Sequence, residues 1–136
     1  VKSKIFLDTN IVLDILIKKR LNHKYRKTLI DRLLDYEVYI SEDMLSTFYY
    51  ITKDKEKTLK FFQAVLNDWH IVPFGKNVIK SAIAYALKHN RDLEDTLQCF
   101  CAKENKCEIF LTNDKKFIDC GVKILDYEGF LKETDE

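Results

Sequence analysis

Three aspartates stand at positions from which phosphate chemistry could be run. Asp8 closes the apolar run Ile5-Phe6-Leu7 and immediately precedes an almost wholly apolar helical stretch. An unpaired carboxylate between two buried segments costs several kcal/mol or takes up a proton. Asp114 follows two residues after Thr112, which ends the run EIFLT, and Asp95 lies in the first turn of the helix opened by RDLEDTLQ. Each alone could be a helix cap, held by free amides and the positive end of the helix dipole for about 0.3–1 kcal/mol. Three on one edge repel one another, and a cation between them removes the repulsion. Oxygen donors with no histidine or cysteine beside them suit Mg²⁺ or Mn²⁺ rather than zinc. An ion held by two or three carboxylates, with positions left for water and phosphate, is the equipment of phosphoryl transfer.

That argument requires the three to share an edge, which the element pattern implies. Strands are expected at 4–8, 38–41, 71–74, 108–112 and 122–125, all short, apolar and mostly uninterrupted. Helices are expected at 10–20, 25–36 and from an N-cap at Ser41 to about 53. Others run from a cap at Asp54 to Trp69, over 76–89 and over 94–105, with a helical turn at 114–118. Alternating strands and helices predict a three-layer α/β/α sandwich around a mainly parallel sheet. In such a sheet ligands bind outside the carboxyl ends of the strands, where Asp8 and Asp114 fall and where the helix of Asp95 starts.

The chain's 136 residues suffice for a single domain, 1–136, with a real core. Only three glycines and one proline argue against an all-β fold. No apolar run approaches a membrane span and no signal-peptide pattern opens the chain, so the expectation is cytoplasmic. A net charge of +1 means that nucleic acid would be met by local patches, not bulk charge. Cys99, Cys101, Cys107 and Cys120 lack paired zinc-ligand spacing and are expected as reduced thiols in the core.

LDTNIVLD near the start and LEDTLQCFCAKENKCEIFLTNDKKF near the end, with the element order between them, resemble the PIN domain family. Within it they are similar to the VapC-like ribonuclease toxins of bacterial toxin–antitoxin pairs. The resemblance covers nearly the whole chain. It implies a Mg²⁺- or Mn²⁺-dependent ribonuclease with Asp8, Asp95 and Asp114 as metal-binding acids, an RNA substrate and a cognate antitoxin. It also implies that Asn10 orients Asp8 or a ligand water, and that Thr112 and Asn113 make contacts close to the metal. One position departs from the pattern: Thr47 falls where the family usually carries a glutamate, and a hydroxyl is a poor replacement for a hard cation. Asp43, four residues earlier on the same helix face, or Glu42, compensates in part; Glu94 and Asp92 are alternatives. If none does, the domain is a weakened relative that binds RNA or protein without cleavage.

KKRLNHKYRK brings Lys18, Lys19, Arg20, Lys24, Arg26 and Lys27 together around Tyr25. It is either a weak RNA-backbone contact or a solvated turn, about 15 Å from Asp8 along a ten-residue helix. Phe48, Tyr49, Tyr50, Phe61, Phe62 and Trp69 are expected in helix packing, with any exposed part open to a homodimer or antitoxin. A phosphatase with a strand-one nucleophile needs a second Asp where Asn10 stands. A receiver domain needs an Asp ending the middle strand, where Ile71-Val72-Pro73-Phe74 offers none.

Overall fold

The computed structural model describes residues 1–134, with side chains through residue 132. Its five strands are β1 (Ser3–Leu7), β2 (Tyr36–Ser41), β3 (His70–Val72), β4 (Ile109–Leu111) and β5 (Lys123–Leu125). The helices are α1 (Thr9–Leu16), α2 (Arg26–Leu33), α3 (Asp43–Ile51), α4 (Lys55–Asp68), α5 (Gly75–His89), α6 (Leu93–Glu104) and α7 (Tyr127–Thr134). A 3₁₀ segment, Leu21–Tyr25, separates α1 from α2.

All strand pairs are parallel, in the order β3-β2-β1-β4-β5. The chain moves outward from β1 to β3, then returns to the other side of β1 for β4 and β5. Right-handed crossovers therefore place the first helices on one face and α5 and α6 on the other. This is the expected three-layer α/β sandwich. The reversal leaves a crevice between the carboxyl ends of β1 and β4, the switch point at which open α/β sheets bind ligands.

The two central strands are apolar because both their faces are covered: Ile5, Phe6, Leu7, Phe110 and Leu111 are fully buried. Phe6 stacks on Phe110 at 5.4 Å, and Phe110 on Phe117 at 4.5 Å. Main-chain bonds continue past the strand ends, from Asp8 N to Leu111 O (3.0 Å) and from Thr112 N to Leu125 O (2.9 Å). The backbone at the crevice is thus an extension of the sheet and shares its rigidity.

Several local expectations are corrected. The first helix stops at Leu16, not Arg20: Ile17 is extended and its amide closes on Leu13 O. The basic run lies outside it and folds back along it, through Arg20 to Asp14, His23 Nδ1 to Asp14 O and Arg26 Nε to Ile15 O. Ser41 is no N-cap; it completes β2, and α3 starts at Asp43 without a side-chain cap. Residues 114–118 form a turn closed by Phe117 N to Asp114 O (3.1 Å), not a helical turn. Helix α7, anchored by Asp126 Oδ1 on Gly129 N, was not foreseen. Cys99 and Cys120, expected as thiols, are joined in a disulfide, while Cys101 and Cys107 are free and buried. The pairing spans β4 and depends on how the segment after it packs on α6, which spacing does not report.

Candidate functional site

Asp8 is buried, with 6% of its surface exposed. It caps α1, with Oδ1 accepting from Thr9 N at 2.8 Å, so half of its carboxylate does what the bland reading allows. Its other oxygen, Oδ2, accepts from the Thr112 hydroxyl at 2.8 Å across the switch point. That hydroxyl in turn accepts from Asp114 N at 3.1 Å. One threonine thereby ties the ends of β1 and β4 together, orienting the Asp8 carboxylate and holding the Asp114 backbone, while Asp114 Oδ1 accepts from Lys116 N at 2.9 Å. Asn10 does not orient Asp8: it is exposed, and its Oδ1 meets Arg20 Nη2 at 3.5 Å. Asn113 points away as well, accepting from Tyr127 N at 2.9 Å to start α7.

Asp95 arrives from the opposite helix layer. Asn90, left-handed at φ 52°, ends α5, and Asp92 then caps α6 by accepting from Asp95 N at 3.0 Å. Since Asp92 does the capping, the Asp95 carboxylate is not used as a cap, and among the described residues it accepts no hydrogen bond. Its pKa is pushed up to about 6 by burial, then by the charges of Asp92, Asp8, Asp114 and Glu94. Asp8 is raised mainly by burial and also by Asp114, against the lowering effect of Thr112 and Thr9. Glu94 is raised by desolvation, then by Asp92, Asp43 and Asp8. These effects put Asp8, Asp92, Glu94, Asp95 and Asp114 within electrostatic reach of one another, with Asp43 acting on Glu94. Acids from four separate stretches of sequence repel one another.

The donor set is all oxygen, as hard cations require. Yet among the described residues no three acidic, histidine or cysteine side chains close into a ready coordination shell. Among the described residues two buried polar groups lack a hydrogen-bond partner: the Ser41 hydroxyl at the end of β2 and the Gln98 carboxamide on α6, one turn beyond Asp95, which sequence reasoning missed. A glutamine in the QCFCA stretch of an otherwise buried helix was the available signal. Thr47 is half-buried and donates to Asp43 O at 3.3 Å. A pocket of about 590 Å³ beside the cleft takes Thr112 and Asp114 into its wall but neither Asp8 nor Asp95.

Of the basic residues, Lys18, Lys19, Lys24, Arg26 and Lys27 are exposed. Arg20 is engaged with Asp14 at 2.6 Å. Tyr25 packs against Tyr127 at 5.3 Å.

A model of the PIN domain matches residues 5–123 of the chain. The chain belongs to the PIN domain family. This PIN domain is 38% identical over 134 residues to Ribonuclease VapC1 of Aquifex aeolicus, covering 94% of this chain and 93% of that protein. In fold it is similar to the sarcin-ricin loop cleaving toxin VapC20 of Mycobacterium tuberculosis (TM-score 0.72, 13% identity, 87% of this chain and 95% of that one). It is also similar to a chain of VapBC2 from Rickettsia felis bound to promoter DNA (TM-score 0.68, 17% identity, 91% and 98%).

The raised carboxylates of this PIN domain set a pH test. A group whose folded pKa lies above its unfolded value contributes stability at low pH and loses it as pH rises through the folded value. For Asp95 the window runs from about 4, the ordinary aspartate value, up to about 6. Without divalent ions, the melting temperature of Asp95→Asn minus that of the wild type should grow as pH rises from 4 to 6.5. Saturating Mn²⁺ should shrink that gap. A flat difference across the range would mean that neither burial nor the neighbouring acids raise the Asp95 carboxyl.

Proposed function

We propose that this PIN domain is a Mg²⁺- or Mn²⁺-dependent endoribonuclease acting in the cytoplasm, the toxin half of a toxin–antitoxin pair. The observation that carries the reading is the Thr112 bridge. It joins the Asp8 carboxylate to the Asp114 backbone amide across the ends of β1 and β4, in a chain 38% identical to a protein named a ribonuclease. Asp8, Asp95 and Asp114 would hold the ion, with Asp43 and Glu94 beside it. When bound, the ion supplies charge neutralisation at the phosphate and a lowered pKa for attacking water. The chain's own contribution is orientation: Thr112 Oγ1 and Thr9 N donate to the two oxygens of Asp8, and Asp95, which accepts no hydrogen bond among the described residues, is left open to the ion or a ligand water. Exposed Lys18 and Lys19 at the end of α1 offer charge to an RNA backbone.

The partners follow from exposed apolar surface. Ile79, Ile83 and Leu87 form an i, i+4, i+8 stripe on α5, exposed by 43%, 45% and 81%, which suits a second copy of the chain. A toxin-antitoxin complex from Klebsiella pneumoniae contains a chain of this fold. By that analogy a small antitoxin would cover the acidic cleft.

The weakened-relative reading rests on Thr47. Against it stands Asp43, near enough to Glu94 to raise its pKa and so in reach of the place a glutamate would serve. Mn²⁺ titration followed by cleavage of a single-stranded RNA, with and without a chelator, tests the proposal. Cleavage only with the ion is expected. Asp43→Ala should weaken Mn²⁺ binding by about tenfold and Thr47→Glu should tighten it by a similar factor. Tight Mn²⁺ binding with no cleavage, before and after Thr47→Glu, would favour the binding-only relative.

A further inference from the structure

The segment between β4 and β5, residues 112–122, carries Asp114 at its start and Cys120 near its end. Helix α6 carries Asp95 and, one turn later on the same side, Cys99. The Cys99–Cys120 disulfide joins the two, with Cα atoms 6.1 Å apart. The Cys99–Cys120 bond thus ties the segment that carries Asp114 to the helix that carries Asp95. The segment's polar ties to the same layer are thin. Arg91 Nη2 donates to Lys116 O at 2.6 Å and Tyr85 Oη to Asp119 O at 3.4 Å, both at exposed positions. Phe117 on Phe110 and the buried Ile118 keep the segment attached to the core without fixing its distance from α6.

We propose that this disulfide is a redox latch on the acidic cleft: closed, it holds Asp114 against Asp95, and reduced, it frees the 113–120 segment and weakens divalent-cation binding. The proposal rests on reading the cleft as a metal centre. Disulfides in reducing compartments are mostly transient and redox-sensing, not structural. Both cysteines lie in the core, and Cys120, 7% exposed against 0% for Cys99, is the one nearer the surface. A dithiol's thiolate would attack the Cys120 sulfur, releasing Cys99 as a thiolate that takes a proton. The dithiol's second sulfur then displaces Cys120, which is protonated in turn. Two electrons and two protons pass to the protein, and the dithiol becomes its disulfide. Cys101, two residues from Cys99, does not compete, because burial pushes its thiol up to about 12, as it does that of Cys107.

The test compares the air-oxidised and dithiothreitol-reduced full chain, with Cys120→Ser as a permanently open form. Peptide mapping of the oxidised protein should show Cys99 linked to Cys120, with Cys101 and Cys107 as free thiols. On reduction, amide exchange at 113–119 should speed up and Mn²⁺ affinity should fall by about tenfold or more. Cys120→Ser should behave as the reduced protein does, with native circular dichroism. A lower melting temperature with unchanged exchange and unchanged Mn²⁺ affinity would make the bond a plain staple and overturn the latch. Free thiols at all four cysteines after oxidation would do the same. If Mn²⁺ binds neither form, the metal-centre reading fails first and takes the latch with it.

Discussion

Asp8→Asn should reduce metal-dependent RNA cleavage by about 10³-fold, about 4 kcal/mol of barrier, and at the same time leave the apoprotein as stable as the wild type or more so. The two effects have one cause. The Asp8 carboxylate is buried and its pKa is raised, so the empty site bears the cost of a poorly solvated charge. Asparagine keeps the shape, and its oxygen still accepts from Thr9 N as Asp8 Oδ1 does at 2.8 Å. It cannot neutralise a divalent ion. Thermal melting without metal and cleavage with Mn²⁺ read the two sides. A variant that lost both together would mean that Asp8 serves the fold and not the ion. Thr112→Val supplies the graded companion. It removes the hydroxyl that bonds Asp8 at 2.8 Å and Asp114 N at 3.1 Å, without touching a carboxylate. The expected loss is about 10- to 100-fold in metal affinity or rate, the usual cost of releasing a group that orients ligands.

The acids at the strand ends were legible in the sequence because an apolar strand buried on both faces announces itself, and the residue after it must lie at the sheet's edge. Asp8 and Asp114 could be placed there from KIFLD and EIFLTND alone. The distinction between a cap and a free carboxylate was not legible. RDLEDTLQ holds three acids within one helical turn, and only the structure shows that Asp92 accepts from Asp95 N and leaves Asp95 uncapped. Nor was the partner of Asp8 legible: Asn10, two residues on in the motif, meets Arg20, and the hydroxyl that orients Asp8 comes from Thr112, more than a hundred residues away. Long-range pairings leave no periodicity. The Cys99–Cys120 bond and the return of Arg20 along α1 belong to the same class. Val78, Ile79, Ile83, Ala86 and Leu87 fall on one face of α5, yet only Val78 among them is buried. An apolar residue signals burial, not what buries it.

Asp14 was the strongest unread signal: an acid between Leu13 and Ile15, in a helix otherwise buried on most sides, must have partners. It is 3% exposed and accepts from Arg20 Nε at 2.6 Å and from Tyr127 Oη at 2.7 Å. Its own burial and Asp14 together hold the Tyr127 phenol proton well above the ordinary range. The triad fastens α1, the basic segment and α7 to one carboxylate. Arg20→Ala leaves that carboxylate buried with one neutral partner and should cost about 3 kcal/mol or more, a fall of about 10 °C in melting temperature for a chain of this length. Tyr127→Phe removes only a hydrogen bond to a charge and should cost about half as much. Replacing all three by Asp14→Leu, Arg20→Met and Tyr127→Phe should recover most of the loss, since an apolar set of similar volume often equals a buried ion pair. The same variants separate structure from substrate binding at the basic run. Arg20→Ala should lower stability while leaving the salt dependence of RNA binding unchanged. Lys19→Ala should leave stability alone and reduce the slope of log K against log salt by about one counterion's worth. A reversed pattern would make Arg20 an RNA contact that is parked on Asp14 only when RNA is absent.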